Sequence, residues 1–427
     1  MRALLAALLL SCRLAGTVLA QTATPNPAPA APTLTAAQWR ADLAFLAKTL
    51  PARHPKPFTR VTREQWLAAV RRLDAQIPSS TPDQVEVGIA SLVALLGDAH
   101  TIAYASDVPP GFHPLPIRLF WFADGLHVVA AVKGDESFLG RPLTSVNDVP
   151  INDAVAAVSP TFVHENEALL KTGAAQALTT IETLHATGLI HDATQVTLGF
   201  GPPSPTGETR ATLTPLASSK DLSWVRWPDY AGAPAPLARR HPQSWFWRER
   251  VDSSNVLFIQ YNRCQDSTGR TVAGFVRETL DEIDARPPRA VVVDLRYNGG
   301  GSSSLLMPLI QGLAQRKVNA PDRLFVLVGR VTFSSALMNA VSFRKLTKAT
   351  LVGEPTGGKP NHFGETKTFT LPNSGMTIQH STRYFKEQEK DEDALDPDVR
   401  VDVRAADYGA GRDPVMDEVL RRAGGGH

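Results

Sequence analysis

VVVDLRYNGGGS, residues 291–302, is the stretch on which the reading of this chain turns. It opens as an unbroken apolar run, closes that run with Asp294-Leu295-Arg296, and then breaks into three glycines. An apolar run of strand length that ends in glycines reads as a buried strand opening into a loop whose backbone comes close to something. A second stretch, VTFSSA at 331–336, puts Ser334 and Ser335 after another apolar run, LFVLVG at 324–329, and before a helical pattern. One strand end offers bare amides and the other offers hydroxyls. Together they suit an oxyanion site and a nucleophile, the parts an acyl-transfer reaction needs.

Working outward, strand and helix patterns alternate: VLFIQY (256–261), VAGFVRETLDEI (272–283), AVVVDLR (290–296), a helix near 305–313, LFVLVG, SALMNAVSF (335–343) and ATLVG (349–353). This alternation predicts an α/β fold with a mainly parallel sheet over residues 251–408. KTFTLPNSGMTIQHS (367–381) reads as a hairpin turning at Pro372-Asn373-Ser374-Gly375, and a C-terminal helix and tail fill 409–427.

Upstream, apolar residues at helical spacing (Trp39, Leu43, Leu46; Trp66, Val70, Leu73) predict a helical N-terminal domain over 35–105. Thr62 with Gln65 is a helix-start signal, and Thr81 precedes a further helix. GDAHT (97–101) closes that domain. Residues 110–215 change to a β-rich unit, with IRLFWF and HVVAAV joined by Ala123-Asp124-Gly125, then LTSVNDVPI (143–151), a helical stretch at 166–184, and QVTLGF. The Pro/Ser/Thr-rich tract ending near 250 marks a crossover linker, assigned to 216–250.

The first twenty residues read as a signal peptide: Arg2, an apolar run at 3–10, and Val18-Leu19-Ala20 as cleavage site before Gln21. Residues 21–34 are a Pro/Ala-rich spacer. A periplasmic or secreted location follows. Leu9-Leu10-Ser11-Cys12 resembles a lipoprotein signal, but the leader before it is short and Arg13 follows, so cleavage near Ala20 is favoured. The apolar run is shorter than the roughly 20 residues a membrane span needs, which argues against stable insertion. Lys+Arg 44 against Asp+Glu 42 leaves no basic excess for nucleic acid. Cys264 is the single cysteine of the mature chain, which excludes an internal disulfide and suits a core thiol. The eleven histidines show no HExxH and no zinc spacing, so neither metal nor cofactor is expected.

The chemistry is assigned to Ser334, with Ser335 as competitor and a helix N-cap as the plain alternative. Gly299, Gly300 and the amide of Ser335 are the candidate oxyanion donors. Asp294 and Arg296 read as a pair that orders the loop. A serine needs a base, and two are in reach. Lys359, in TGGKP, follows Ser334 by 25 residues; its pKa must fall from about 10.4 by some three units to work near neutrality. His100 in GDAHT, at about 6.5, needs almost no shift. Both stay open, with His100 favoured.

GDAHT, VVVDLRYNGGG and VTFSSA…LVGEPTGGK together resemble the C-terminal-processing (tail-specific) and tricorn-core serine peptidases, over about 38–403. The resemblance implies a crotonase-like ββα spiral for the catalytic domain and a PDZ-like inserted unit at 110–215. In the processing enzymes a lysine lies 25 residues after the serine, the register of Lys359, although Ala336 and Leu337 stand where a second serine and a glutamate are usual. Tricorn-like members use a histidine, and His100 occupies the like place with Ala99 where a serine precedes it. Their supporting glutamate finds a loose match in Glu392. The expectation is an exported serine endopeptidase acting on polypeptides. The alternative is a non-catalytic peptide- or apolar-ligand-binding protein on the same fold.

Overall fold

Three helices begin the part of the chain described by the computed structural model, which covers residues 34–105, 112–201, 209–217 and 222–424. They are α1 (Ala36–Arg53), α2 (Arg63–Gln76) and α3 (Pro82–Ala94), each started by a threonine capping box at Thr35, Thr62 and Thr81. The leader and spacer assigned to 1–34 lie, but for Leu34, outside the described residues. The short strand β1 (Ile102–Tyr104) follows α3.

The next unit is built from β2 (Ile117–Phe122) and β3 (Gly125–Val132), a hairpin turning at Ala123 and Asp124, and from β4 (Leu143–Val146) and β5 (Val149–Pro150). Asn147 takes a φ of 50° at the β4–β5 turn, as an Asn-Asp turn asks. Helices α4 (Ile151–Val158), α5 (Glu167–Ala177) and α6 (Ile181–Ala186) lead to β6 (Val196–Phe200), β7 (Thr209–Leu213) and β8 (Trp224–Arg226). The strands form two small sheets, β2-β3-β8 and β5-β4-β6-β7. They share one apolar core that includes Ile117, Val128, Val146, Val155, Leu178 and Phe200.

After the short α7 (Trp227–Tyr230), a six-stranded sheet carries the last third. Its order is β16-β13-β12-β11-β10-β9, with β9 (Phe246–Val251), β10 (Val256–Tyr261), β11 (Ala290–Asp294), β12 (Leu324–Val328), β13 (Thr350–Gly353) and β16 (Val399–Arg400). Every pairing is parallel except β9 with β10. The crossover helices are α8 (Val272–Ala285), α9 (Met307–Ala314) and α10 (Ser334–Leu346). Val291 and Val293 face the core with these helices, whereas Ala290 and Val292 face the opposite core with α12 (Pro414–Ala423), which follows α11 (Ala405–Gly409). Burial on both faces is why the strand reads as a continuous apolar run.

The hairpin β14 (His362–Thr370) and β15 (Thr377–Phe385) leaves this sheet. It pairs with β1 in a separate sheet, β1-β15-β14, with Ile102 opposite Gln379. Phe369, Leu371, Met376 and Ile378 complete the core of α1–α3. The helical segment and the C-terminal hairpin therefore bury one surface in common. Asp42 of α1 holds the hairpin tip, accepting from the amides of Asn373 and Ser374 at 2.8 and 2.7 Å and from Asn373 Nδ2 at 2.8 Å. The described residues from Leu34 onward form one compact unit.

Candidate active site

The ends of β11 and β12 meet as their sequences suggest. Past Asp294 the chain turns at Asn298, which is wholly buried and bonds in three directions. Its Nδ2 donates to Tyr261 O at 2.8 Å, its Oδ1 accepts from Gly300 N–H at 2.9 Å, and its carbonyl accepts from Phe333 N–H at 3.1 Å. Thr332 ties the second strand end to the first, its Oγ1 donating to Leu295 O at 2.9 Å and accepting from Gly329 N–H at 3.0 Å. Arg296 pairs with Asp294 and Asp413, both at 2.7 Å, and so orders the loop.

Ser334 sits at this junction as the first residue of α10, with a φ of 49°. The left-handed region is rare for a residue with a Cβ and costs about 1–2 kcal/mol. It turns the serine sharply out of the strand–helix path. Gly300 lies against it: at a φ of 115°, a Cβ there would stand 2.8 Å from Ser334 Cβ and 3.2 Å from Ser335 N. Gly299 is different, with open space around the place a Cβ would take. The amide of Gly300 is taken by Asn298, while those of Gly299 and Ser335 have no hydrogen-bond partner among the described residues. Ser335 Oγ donates to Gly301 O at 2.7 Å, which leaves Ser334 with the freer hydroxyl.

His100 reaches this junction from the end of the helical segment. Its ring is buried and stacks on Phe333 at 4.5 Å, with His362 on the other side at 5.5 Å and Phe385 beyond that. Both ring nitrogens lack a partner, so no hydrogen bond joins His100 to Ser334 in this structure. Burial, opposed by the nearby Asp98 charge and assisted by His362, pushes the imidazole pKa down to about 4. The ring is neutral at physiological pH.

The main chain of His100 is fixed by Asp98, whose Oδ1 accepts the His100 N–H at 3.0 Å. Asp98 Oδ2 accepts from Thr101 Oγ1 at 2.5 Å and from His54 Nε2 at 3.0 Å. His54 Nδ1 accepts from Lys56 N–H at 3.2 Å, so the His54 proton lies on Nε2. Burial alone would raise the Asp98 pKa, but these bonds outweigh it and hold the carboxyl below its usual range.

The TGGK loop packs on the serine turn. A Cβ at Gly357 would collide with Arg330 O, and one at Gly358 would lie 2.9 Å from the Phe333 ring. Lys359 Nζ itself pairs with Asp393 at 2.8 Å and is 30% exposed. Glu392 accepts from Gln388 Nε2 at 2.7 Å on the surface. Cys264 is a buried free thiol whose pKa burial raises to about 11, as a core role requires. No group of three or more His, Cys, Asp or Glu suited to a metal occurs among the described residues. Sequence reading did not find Asn298, Thr332, His54, His362 or Glu165, whose Oε2 is occluded and whose Oε1 accepts from Ala99 N–H at 3.1 Å. Of these only Asn298 and Thr332 lie inside the diagnostic stretches.

Residues 309–401, which span the serine turn and the TGGK loop, match the model of peptidase family S41. Over this segment the chain is similar to peptidase family S41. No curated protein sequence matches it. Among solved structures, the chain is similar to mature CPAF complexed with lactacystin, with a TM-score of 0.65 at 14% identity, covering 91% of this chain and 99% of that one. Mature CPAF itself gives a TM-score of 0.60 at 14% identity, covering 91% and 98%. At that identity the likeness is one of fold. The architecture of the chain is mixed α/β. No helix among its described residues is long and apolar enough to cross a membrane.

Proposed function

We propose that this chain is an S41-type peptidase, an exported serine endopeptidase of the tail-specific and tricorn-like kind, acting on polypeptides without metal or cofactor. The observation that carries the reading is the strained turn at Ser334, φ 49°, packed against Gly300 and flanked by the unpartnered amides of Gly299 and Ser335. Ser334 Oγ attacks the scissile carbonyl and its proton passes to the base. The tetrahedral oxyanion faces the N–H groups of Gly299 and Ser335, which Gly300 joins by releasing Asn298. Collapse returns the proton to the leaving amine, and water then hydrolyses the acyl-enzyme with the same base.

His100 is the favoured base. A buried, neutral imidazole with both nitrogens unpartnered is ready to accept a proton, whereas the Lys359 ammonium is engaged by Asp393. The missing Ser334–His100 bond fits a site that tightens when substrate binds. The same gap favours the second reading, a binding protein on this fold with an idle serine. In the proposed arrangement the six-stranded sheet is the crotonase-like spiral and residues 110–215 are the PDZ-like unit that presents substrate. The export reading rests on residues 1–20 and expects a mature N-terminus at Gln21.

Reaction with a fluorophosphonate, followed by peptide mapping, tests the proposal. A covalent adduct on Ser334 together with hydrolysis of an unfolded protein substrate is the expected result. No adduct and no hydrolysis would leave the binding reading in its place.

A further inference from the structure

Residues 164–166 cross from the helical segment to the TGGK loop, and each makes a contact with a different part of the site. His164 O accepts from Arg60 Nη1 at 2.8 Å, which fixes the crossing to the loop between α1 and α2. Glu165 Oε1 accepts the N–H of Ala99, the residue before His100. The Lys359 main-chain N–H also faces the Glu165 carboxylate. Asn166 caps α5, accepting from Leu169 N–H at 2.8 Å, and its Nδ2 donates to Thr356 O at 3.0 Å and to Asp393 O at 2.7 Å.

Two adjacent side chains thus grip both loops that carry a candidate base. Glu165 is an unexpected residue for that place, since its Oε2 is occluded and has no donor. Burial raises its pKa to about 7, opposed by the Ala99 amide, assisted by the Asp98 charge, and opposed again by Lys359. A buried carboxylate with an orphan oxygen is unfavourable by itself. Its one formed bond from Ala99 therefore calls for a role.

We propose that Glu165 and Asn166 are positioning residues that hold the His100 segment and the 356–359 loop at one spacing and so set the reach of the base toward Ser334. The proposal rests on the reading of Ser334 as the nucleophile. It differs from that reading in naming the part of the chain outside the catalytic sheet that makes the site productive.

The test is the rate of fluorophosphonate acylation at saturating and subsaturating reagent, in wild type and in Glu165→Ala, Glu165→Gln and Asn166→Ala. The Ala variants are expected to lose about tenfold or more in the limiting acylation rate with half-saturation unchanged. Glu165→Gln should recover to within about threefold, because an amide oxygen still accepts the Ala99 N–H. Wild-type rates in Glu165→Ala, or equal loss in Ala and Gln, would overturn the clamp. Hydrogen exchange decides the matter even on a protein whose serine fails to react. The Ala99 amide should exchange faster in Glu165→Ala and stay protected in Glu165→Gln. Unchanged exchange in folded Glu165→Ala would overturn the proposal, whereas a silent wild-type serine with the expected exchange would overturn only the nucleophile.

Discussion

His100 lies face to face with Phe333, ring centroids 4.5 Å apart and planes 24° from parallel. The ring it covers belongs to the residue that leads into Ser334, so the seat of the imidazole and the serine turn are one surface. The same packing keeps water from both imidazole nitrogens. The first prediction follows from that dryness.

With its pKa at about 4, His100 is deprotonated through the physiological range. The acid limb of kcat/KM should fall near pH 4, below the ordinary histidine range near 6.5. The folded value lies below the unfolded one, so the unfolded chain binds the proton first as pH drops. Stability should decline between about pH 6.5 and 4, by about 2–3 kcal/mol from this group. Denaturant melts of wild type and His100→Asn at pH 7 and 4.5 measure it: the variant should lose less on acidification.

Ser334→Ala should abolish hydrolysis and fluorophosphonate labelling. Ser334→Gly should do the same yet melt higher than Ser334→Ala. Relief of about 1–2 kcal/mol of left-handed strain exceeds the roughly 0.4–1 kcal/mol by which glycine favours the unfolded chain. Calorimetry of the two variants checks the order, and a lower melting point for Gly would argue against strain at this turn.

The two loop glycines should behave unequally. Gly300→Ala forces a Cβ against Ser334 at a φ of 115° and should cost at least about 100-fold in kcat. Gly299→Ala meets open space and should stay within about fivefold of wild type. Steady-state kinetics on a peptide substrate read both, and equal losses would show that contact with Ser334 is not what matters.

Lys359→Met should lower kcat by less than about fivefold if His100 is the base. The Lys359–Asp393 pair is partly exposed, and its loss should cost no more than about 1 kcal/mol of stability. Complete inactivation of Lys359→Met beside an active His100→Ala would reverse the assignment.

Asp42→Ala should destabilise the protein by about 3 kcal/mol, because three donors at the hairpin tip lose one buried carboxylate. Thermal melts and hydrogen exchange over 367–381 would register it. An unchanged melting point would mean that the tip is held by packing alone.

The strands that bury both faces were plain in the sequence, since Val291–Val293 and Leu324–Val328 admit no polar alternation. Local signals also served: the threonine caps, the Asp124-Gly125 turn and the hairpin at 372–375. The pairing of that hairpin with Ile102–Tyr104 was not legible, because a three-residue strand has too little period to announce itself and its partner lies far along the chain. Ser334 and the glycines stood out because a strand end followed by small residues is a local pattern. Glu165 did not, since its burial depends on the meeting of segments around Arg60, Ala99 and Lys359. His362 is likewise set beside His100 only by the hairpin. Asn298 sat in plain view within the diagnostic stretch, but two of the three bonds that define it reach other strand ends, at Tyr261 and Phe333.

The pairing of Ile102–Tyr104 with Thr377–Gln379 bears on how the chain comes into being. A ribosome makes residue 102 well before residues 377–385. Until the hairpin has emerged, the segment after His100 has no neighbouring strand, and the ring itself lacks His362 and Phe385. A growing chain that already carries Ser334 therefore still lacks the surfaces that enclose the His100 ring. The serine turn and the enclosure of His100 are thus completed at different moments, the second only when the hairpin has closed.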